Sequence, residues 1–387
     1  AVPAVRDAAP AAAVQQLATA LASAARPVIV AGSGVHISGA WAALADVADA
    51  AAVPVATTIH GKGAYPEDGP WSLGVVGGNG GREEVNAYVA DADVVLFVGT
   101  RANATDTNSF RSPPRTASVF VLDVEARADV GAVRNYPGAM ALAGDARATL
   151  EQLLGHLTGP APVERAERAA RVAAVRDTRP TVPTSALPPD TLSARDVLRT
   201  VLSAVPDAVV VADCGTPTPL LAADHVLRSA GRSIIVARGH GPMGYAIPAA
   251  VGAALAHPGR RVVCLTTDGS FTMACGELAT AAARALDITF VQLTNGSFGW
   301  IKMMEHLYYD RRYFGVDLLP VDSVAVARGF GVPAHRATSL ADLGDLVTEQ
   351  TRGPLYLDVP IPEQLTEVPP VSSWQAALRG DRTRPVY

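Results

Sequence analysis

The chain has 387 residues and a formal net charge of −5 at pH 7, and 49% of its residues are hydrophobic. This length suits two α/β domains that each bury their own core. The acidic balance and the lack of a long basic run argue against a nucleic-acid partner. The sequence contains no uninterrupted run of about 18 apolar residues, so it predicts no membrane span. The three cysteines lack metal-site spacing, so we expect a cytoplasmic protein.

Short apolar runs alternate with helical stretches in the first half of the chain. A strand that starts at Pro27 ends in the turn Gly32-Ser33-Gly34, and a helix is predicted from about Gly39 to Ala52. Three further strands are predicted over 53–56, 94–99 and 119–123. This alternation indicates a doubly wound parallel sheet. The glycine turn alone is a weak dinucleotide signal, because the third glycine of the full fingerprint is missing.

A proline-rich stretch over 158–190 follows this half. It contains a predicted helix over 164–176 and then four prolines, Pro180, Pro183, Pro188 and Pro189. Such proline density favours an extended linker. Residues 191–196 predict a helix start with Ser193 or Thr191 as its N-cap. The last residues, 363–387, have weak periodicity and are predicted to form a tail over a neighbouring subunit.

One stretch in the second half carries most of the chemical information. Its parts are a predicted strand over 262–265, the turn Asp268-Gly269-Ser270, a helix over 275–285, a strand over 288–293 and the turn Thr294-Asn295-Gly296. The carboxyl ends of neighbouring parallel strands lie on one edge of a sheet, where open α/β folds bind ligands. We therefore expect Asp268 and Asn295 to converge.

Asp268 and Asn295 offer a carboxylate and an amide carbonyl. These hard oxygen ligands suit Mg²⁺ or Ca²⁺ and suit zinc poorly. Gly269 permits close approach of a backbone, and the amides of Gly269 and Ser270 can donate to phosphate oxygens. The turns therefore predict a metal–diphosphate clamp. The alternative is that Asp-Gly and Asn-Gly are ordinary turn dipeptides at strand ends.

Three segments in order resemble the cofactor-binding motifs of one enzyme family. They are Val211 to Thr216, Gly239 to Ala250, and the Asp268–Asn295 stretch. The last is similar to the signature GDG followed by NN, with Thr267 and Thr294 in place of its first Gly and first Asn. Together they resemble thiamine-diphosphate enzymes of the acetolactate (acetohydroxyacid) synthase, pyruvate oxidase and benzoylformate decarboxylase group.

The resemblance implies an α/β fold with two doubly wound parallel-sheet domains. Its implied divisions are an N-terminal linker (1–11), a Rossmann-like central domain (12–157), the proline-rich linker (158–190), a thiamine diphosphate- and metal-binding domain (191–362) and a C-terminal tail (363–387). Thiamine diphosphate and Mg²⁺ are the implied cofactors. Some members bind a flavin in the central domain, and Arg101 stands where those members have an arginine. A surface charge explains Arg101 at least as well, so FAD is the less favoured prediction.

The resemblance also implies roles for single residues. Asp268, Asn295 and the backbone carbonyl of Ser297 would hold the metal. The carbonyl of Gly241 would accept a hydrogen bond from the amino group of the cofactor. Met243 would hold the cofactor in its bent form, with core packing as the alternative. The full cofactor-binding set comprises Gly215, Thr216, Gly241, Met243, Asp268, Gly269, Ser270 and Asn295.

Two further groups of residues have two interpretations each. His240 is either a proton shuttle near pH 7 or a residue that shapes its loop. The positions that follow the metal loop correspond to substrate-sorting side chains in related enzymes, or else pack as an apolar helix face. Those positions are Phe298, Trp300, Ile301 and Met304.

Full-length members of the group carry a pyrimidine-binding domain before the central domain, with a glutamate that protonates the cofactor ring. The 26 residues before Pro27 cannot form such a domain. We therefore expect the large chain of a split 2-oxo acid decarboxylase or carboligase, acetolactate synthase-like, with a small pyrimidine-domain subunit in a heterotetramer or larger assembly. One alternative is a simple decarboxylase that resembles benzoylformate or phosphonopyruvate decarboxylase. The other is a noncatalytic binding or regulatory subunit.

Overall fold

The computed structural model describes residues 6–178, 187–381 and 383. Within these residues the chain divides into two compact units. The first unit comprises residues 6–178 and 226–232, and the second comprises 187–225, 233–381 and 383. None of the helices in the described part of the chain combines the length and hydropathy that a membrane span needs.

The described residues of the first unit contain a six-stranded parallel sheet. Its strands are β1 (Pro27–Ala31), β2 (Val55–Thr57), β3 (Ser72–Val75), β4 (Val94–Val98), β5 (Ser118–Asp123) and β6 (Met140–Ala143). Their order in the sheet is β3-β2-β1-β4-β5-β6. The helices are α1 (Ala11–Ser23), α2 (Ser33–Ser38), α3 (Trp41–Ala50), α4 (Glu83–Ala90), α5 (Gly131–Asn135), α6 (Ala146–Leu154) and α7 (Pro162–Asp177), with a 3-10 turn at Ile59–Gly61.

Every residue of β1 and β4 is buried. Strands covered by helices on both faces read as continuous apolar runs, which is why the sequence predicts them well. At their carboxyl ends the backbone of Gly34 lies against that of Gly99, since a Cβ built on Gly34 would lie 2.5 Å from the Cα of Gly99. This close contact gives the glycine turn a structural reason. Arg101, two residues beyond Gly99, is exposed, and a flavin there stays a prediction.

The described residues of the second unit contain a second six-stranded parallel sheet. Its strands are β7 (Val209–Ala212), β8 (Ile234–Val236), β9 (Val262–Thr267), β10 (Ile288–Thr294), β11 (Ala334–Arg336) and β12 (Leu355–Pro360), in the order β11-β12-β10-β9-β7-β8. Its helices are α8 (Ala194–Ala204), α9 (Pro217–Asp224), α10 (Ala246–Ala256), α11 (Asp268–Ala274), α12 (Glu277–Ala283), α13 (Gly299–Tyr308), α14 (Ser323–Gly329), α15 (Leu340–Glu349) and α16 (Ser372–Leu378). The two doubly wound parallel sheets predicted from the sequence are confirmed.

Helix α7 confirms the helix predicted within the proline-rich stretch, but it packs against the first unit. The guanidinium of Arg168 is buried and donates to the carbonyls of Ala24 at 2.7 Å and Ala51 at 3.1 Å. These bonds fix α7 on α1 and α3, so the linker is shorter than the sequence suggests. Pro180 and Pro183 lie outside the described residues. Ser193 caps α8 by accepting from the amide of Asp196, as predicted.

The prediction of a tail is wrong for residues 372–378. They form α16, and its Trp374 is fully buried in a small cluster against α13. A helix of seven residues shows too few turns to produce a clear sequence period. The burial of one large aromatic side chain stabilises it instead.

Candidate functional site

Asp268 links the ends of two neighbouring strands in the second unit. It is the first residue of α11, directly after β9. Its Oδ2 accepts hydrogen bonds from the amides of Asn295 at 3.1 Å and Gly296 at 2.7 Å, and its Oδ1 accepts from Gly269 at 2.9 Å. Asn295 and Gly296 follow β10, which pairs with β9. The predicted convergence of Asp268 and Asn295 is confirmed.

The carboxylate of Asp268 is largely buried and is held by three backbone amides. Burial raises its pKa above the ordinary value, and the three amide hydrogen bonds from Gly296, Gly269 and Asn295 oppose that effect. An opposite charge nearby favours the ionised form of a buried carboxyl. A cation at this position would therefore relieve the cost of burying the charge.

The loop after β10 holds the second oxygen donor. Oδ1 of Asn295 accepts from the amide of Ser297 at 3.2 Å and from its hydroxyl at 3.3 Å. Gly296 between them has a φ of +70°, which favours glycine. Among the described residues, no cluster of three or more His, Cys, Asp or Glu side chains has a metal-ligating arrangement. A cation here would combine one carboxylate with amide and carbonyl oxygens, a set that suits Mg²⁺ or Ca²⁺.

Gly269 lies beneath two large apolar side chains. A Cβ built on Gly269 would lie 2.6 Å from Cε1 of Phe298 and 3.0 Å from Cε of Met243. Any side chain at this position would displace one of them. Met243 is 38% exposed, so it borders open space above the start of α11.

The loop before α10 is joined to the end of β7. The thiol of Cys214 donates to the carbonyl of Gly241 at 3.0 Å and to that of Pro242 at 3.3 Å. Gly241 has a φ of +73° and Gly244 one of +77°, conformations that glycine adopts without strain. His240 is exposed. The structure thus brings two of the resembling segments into contact, with the Gly241 carbonyl already accepting from a thiol.

The sequence interpretation missed a buried carboxylate, Asp213, although it lies inside one of those segments. Asp213 is 1% exposed and accepts from the amide of Ala246 at 3.1 Å, the hydroxyl of Thr266 at 2.7 Å and the hydroxyl of Ser270. Burial raises its pKa. These bonds hold the ends of β7 and β9 and the start of α10 together. An acidic residue directly after an apolar strand was the available signal.

The two threonines that depart from the family signature have distinct contacts. The hydroxyl of Thr294 donates to Oδ1 of Asp358 and accepts from Nε2 of Gln292 at 2.8 Å. Its side chain therefore belongs to a buried polar network between β10 and β12. The methyl group of Thr267 lies beside Gly215, 3.8 Å from a Cβ built there. The oxygen atoms of Asp268 and Asn295 that could bind a cation are therefore retained despite Thr267 and Thr294.

Thr216 adds a hydroxyl at the start of α9. It is buried, and its oxygen accepts a hydrogen bond from Nε2 of Gln364. Gln364 lies after β12 and was part of the predicted tail. Local sequence patterns could not reveal this contact, because 148 positions separate the two residues.

The four predicted pocket residues face different surroundings. Phe298 lies over Gly269. Ile301 is about half exposed. Trp300 packs against Trp374, with ring centroids 4.3 Å apart, and Sδ of Met304 accepts from the indole of Trp374 at 3.3 Å. The structure brings only Phe298 against the Asp268 turn; pocket roles for the other three stay predictions.

A parallel sheet with hydroxyl, carboxylate and amide oxygens at its carboxyl edge is typical of α/β proteins that bind a ligand at that edge. Two family models match this chain. Residues 14–153 match the thiamine pyrophosphate enzyme central domain, and residues 213–359 match the thiamine pyrophosphate enzyme C-terminal TPP binding domain. The chain belongs to the thiamine pyrophosphate enzymes.

Relatives of known name are similar over most of this chain. A protein named "Probable acetolactate synthase large subunit" from Methanocaldococcus jannaschii is 30% identical over 368 residues, which cover 92% of this chain and 61% of that protein. The acetolactate synthase isozyme 2 large subunit of Escherichia coli K12 is 30% identical over 331 residues, covering 85% and 58%. The chain thus spans about three-fifths of the length of these relatives.

Among solved structures, benzoylformate decarboxylase from Polynucleobacter necessarius is similar with a TM-score of 0.74. The sequence identity is 20%, and the match covers 94% of this chain and 66% of the other. At this identity the similarity shows the shared fold alone.

Proposed function

We propose that the second unit binds thiamine diphosphate through a divalent cation. Asp268, Asn295 and the backbone carbonyl of Ser297 would hold the cation. The observation that carries this proposal is the hydrogen bond from the backbone amide of Asn295 to the Asp268 carboxylate. Because of this bond, the side chains of both residues lie at one edge of the sheet. The match of residues 213–359 to a TPP binding domain supports the same assignment.

The residues present fit such a ligand. The oxygen-only donor set suits Mg²⁺, which binds diphosphate groups readily. The absence of a Cβ at Gly269 lets the side chains of Phe298 and Met243 lie directly over the turn. The exposed Met243 side chain lies over this turn, where it would support the cofactor, and the Gly241 carbonyl would accept from the cofactor's amino group.

Thiamine diphosphate supplies, when bound, a nucleophilic carbon and an electron sink for the loss of CO₂ from a 2-oxo acid. The residues of this chain orient and enclose it. Phe298 covers the turn from solvent. His240 is exposed beside Gly241, where its imidazole could contact a bound substrate.

For the reaction, we propose decarboxylation of a 2-oxo acid followed by carboligation, as in acetolactate synthases. The support is the set of relatives at 30% identity that are named acetolactate synthase large subunits. Pyruvate is the donor to test first. An acyloin product distinguishes this reaction from simple decarboxylation, in which the aldehyde accumulates.

We propose further that a small partner chain supplies a pyrimidine-binding domain. The relatives named large subunits support a second subunit. An exposed apolar surface beside the loop that follows β10 supports docking of this partner chain. Residues 309–321, called the 309–321 loop, pair with the loop that follows β10. The amide of Phe298 donates to the carbonyl of Val316 at 2.7 Å, and the amide of Leu318 donates to the carbonyl of Gly296 at 2.9 Å.

Within the 309–321 loop, Phe314 is 90% exposed and Leu319 is 88% exposed. Exposed apolar side chains grouped beside a ligand site are typical of a surface that another protein covers. This loop therefore provides the contact for the partner.

A reconstitution assay tests the function. The purified chain with Mg²⁺, thiamine diphosphate and pyruvate should show no turnover alone. Activity should appear when a pyrimidine-binding domain from the same organism is titrated in, and it should saturate near one partner per chain. Turnover on the order of 1 per second or faster by the chain alone would contradict the partner proposal. Acetaldehyde without acyloin would contradict carboligation.

A further inference from the structure

The segment 361–367, which follows β12, crosses the same edge of the second sheet. Three contacts fix it there. The amide of Ile361 donates to the carbonyl of Thr294 at 2.9 Å. The carboxylate of Glu363 accepts from Nζ of Lys302 at 2.7 Å, and that of Glu367 accepts from the hydroxyl of Ser193 at 2.6 Å. The segment is therefore an ordered part of the site.

Gln364 is the buried polar side chain of this segment. It is 5% exposed, and its Nε2 donates to the hydroxyl oxygen of Thr216. Its other polar atom, Oε1, is buried and has no hydrogen-bond partner among the described residues. A buried acceptor without a partner is costly, and most such atoms in folded proteins are satisfied. Oε1 therefore calls for a donor.

The position of Oε1 identifies where that donor comes from. A Cβ built on Gly299 would lie 3.0 Å from Oε1 of Gln364 and 2.9 Å from Nδ2 of Asn295. The two carboxamides thus border the same glycine. Gln364 stands between Thr216, predicted to bind the diphosphate, and Asn295, predicted to bind the cation.

We propose that Gln364 is a binding residue for the cation–diphosphate group, an inference that rests on the proposed function. Diphosphate oxygens accept hydrogen bonds at neutral pH, so they cannot satisfy Oε1. A water molecule on Mg²⁺ can donate, and Mg²⁺ usually keeps several waters. Oε1 accepts from such a water. The bond from Nε2 occupies a lone pair of Thr216 and leaves its O–H free to donate to the diphosphate.

The substitution Gln364→Met tests this role, because it keeps the length of the side chain and removes both polar atoms. Gln350→Met is the matched control. The carboxamide of Gln350 accepts from the Thr289 hydroxyl at 2.6 Å and donates to the Gly353 carbonyl at 2.6 Å, at the start of β10, away from the site. The Kd for thiamine diphosphate with Mg²⁺ and the Tm of the unliganded chain are measured for both variants and the wild type.

Gln364→Met should leave the unliganded Tm within about 2 °C of the wild type, because it removes an unsatisfied acceptor along with one hydrogen bond. It should weaken the Kd about tenfold, the effect of one lost hydrogen bond. Gln350→Met should lower the Tm and leave the Kd unchanged. A Gln364→Met variant with wild-type Kd would overturn the inference while the function stands. A wild-type chain that binds no cofactor would overturn both.

Discussion

The carboxylate of Asp268 accepts a hydrogen bond at 3.1 Å from the backbone amide of Asn295, which lies 27 positions later in the chain. The bond joins the turns after β9 and β10. It brings the side chains of one carboxylate and one carboxamide residue to the same edge of the sheet, while Gly269 lets Phe298 and Met243 pack directly over the turn. The proposed cation site depends on this pairing.

The first prediction concerns pH. Burial raises the pKa of Asp268, and a proton competes with the cation for its carboxylate. Mg²⁺ affinity should therefore decline on acidification at a pH above the ordinary aspartate range of about 4. Asp268→Asn should weaken Mg²⁺ binding at least about tenfold and remove this dependence. Calorimetry across pH measures both effects.

The exposed Asp345 on α15 supplies the control for this pH series. Asp345→Asn should leave the pH profile of Mg²⁺ binding unchanged. An unaltered profile in Asp268→Asn would show that this carboxylate does not bind the cation.

A second prediction uses two glycines. Gly269→Ala should displace Phe298 or Met243, since the new Cβ would lie 2.6 Å from Cε1 of Phe298 and 3.0 Å from Cε of Met243. We expect a loss of about 1–3 kcal/mol in the free energy of unfolding and at least tenfold weaker cofactor binding. Gly276→Ala is the control, because nothing lies within 4 Å of its Cβ. It should bind cofactor like the wild type, and equal binding by Gly269→Ala would contradict the close fit.

Much of the fold follows from the sequence because its strands are parallel and buried. The run 94–98 is apolar throughout and the run 288–293 is mostly apolar, so the positions of both strands could be predicted. The helix predicted over 275–285 corresponds to α12, Glu277–Ala283, whereas α11, Asp268–Ala274, was expected as a turn. Glycine, serine and threonine in α11 have low helix propensity. The hydrogen bond from the amide of Asn295, in the turn after β10, to Asp268 stabilises the start of this helix.

The candidate site divides in the same way. Asp268 and Asn295 could be predicted, because strand ends on one edge of a parallel sheet meet. Gln364 could not be assigned, since its partner Thr216 lies 148 positions away in the sequence. Asp213 was missed although it directly follows an apolar strand, and its contact with Ala246 was not visible in the sequence. The packing of Trp300 and Met304 against Trp374 likewise depends on α16, a helix without a sequence period.

A third prediction concerns the proposed partner surface. Replacing Phe314 and Leu319 by aspartate should weaken partner binding at least about tenfold, because it puts charge on an apolar interface. The unliganded Tm should change little, since both side chains are exposed. Leu255→Asp, at an exposed position on α10, is the control. Partner binding is measured by titration with light scattering or calorimetry. Equal partner affinity of the double variant and Leu255→Asp would contradict a role for this surface.

A fourth prediction concerns the first unit. Burial raises the pKa of Asp106 to about 6, and the hydroxyl of Thr100 donates to its carboxylate at 3.1 Å. The folded state therefore favours the neutral carboxyl. Its stabilising contribution is present below the ordinary pKa of about 4 and is lost as the pH rises through about 6.

Asp106→Asn keeps the shape and removes this titration. Relative to the variant, the wild type should lose up to about 3 kcal/mol of unfolding free energy between about pH 4 and pH 8. Denaturant titrations of both proteins at several pH values measure the difference. A difference that stays constant with pH would show that Asp106 does not titrate in this range.

The most direct test of the account is a calorimetric titration of the chain with thiamine diphosphate, in the presence and absence of Mg²⁺. We predict Mg²⁺-dependent binding near one cofactor per chain. Binding should be lost in Asp268→Ala, while circular dichroism shows an intact fold, because the substitution removes a ligand at a strand end rather than core volume. Equal cofactor affinity in Asp268→Ala and the wild type would contradict the account.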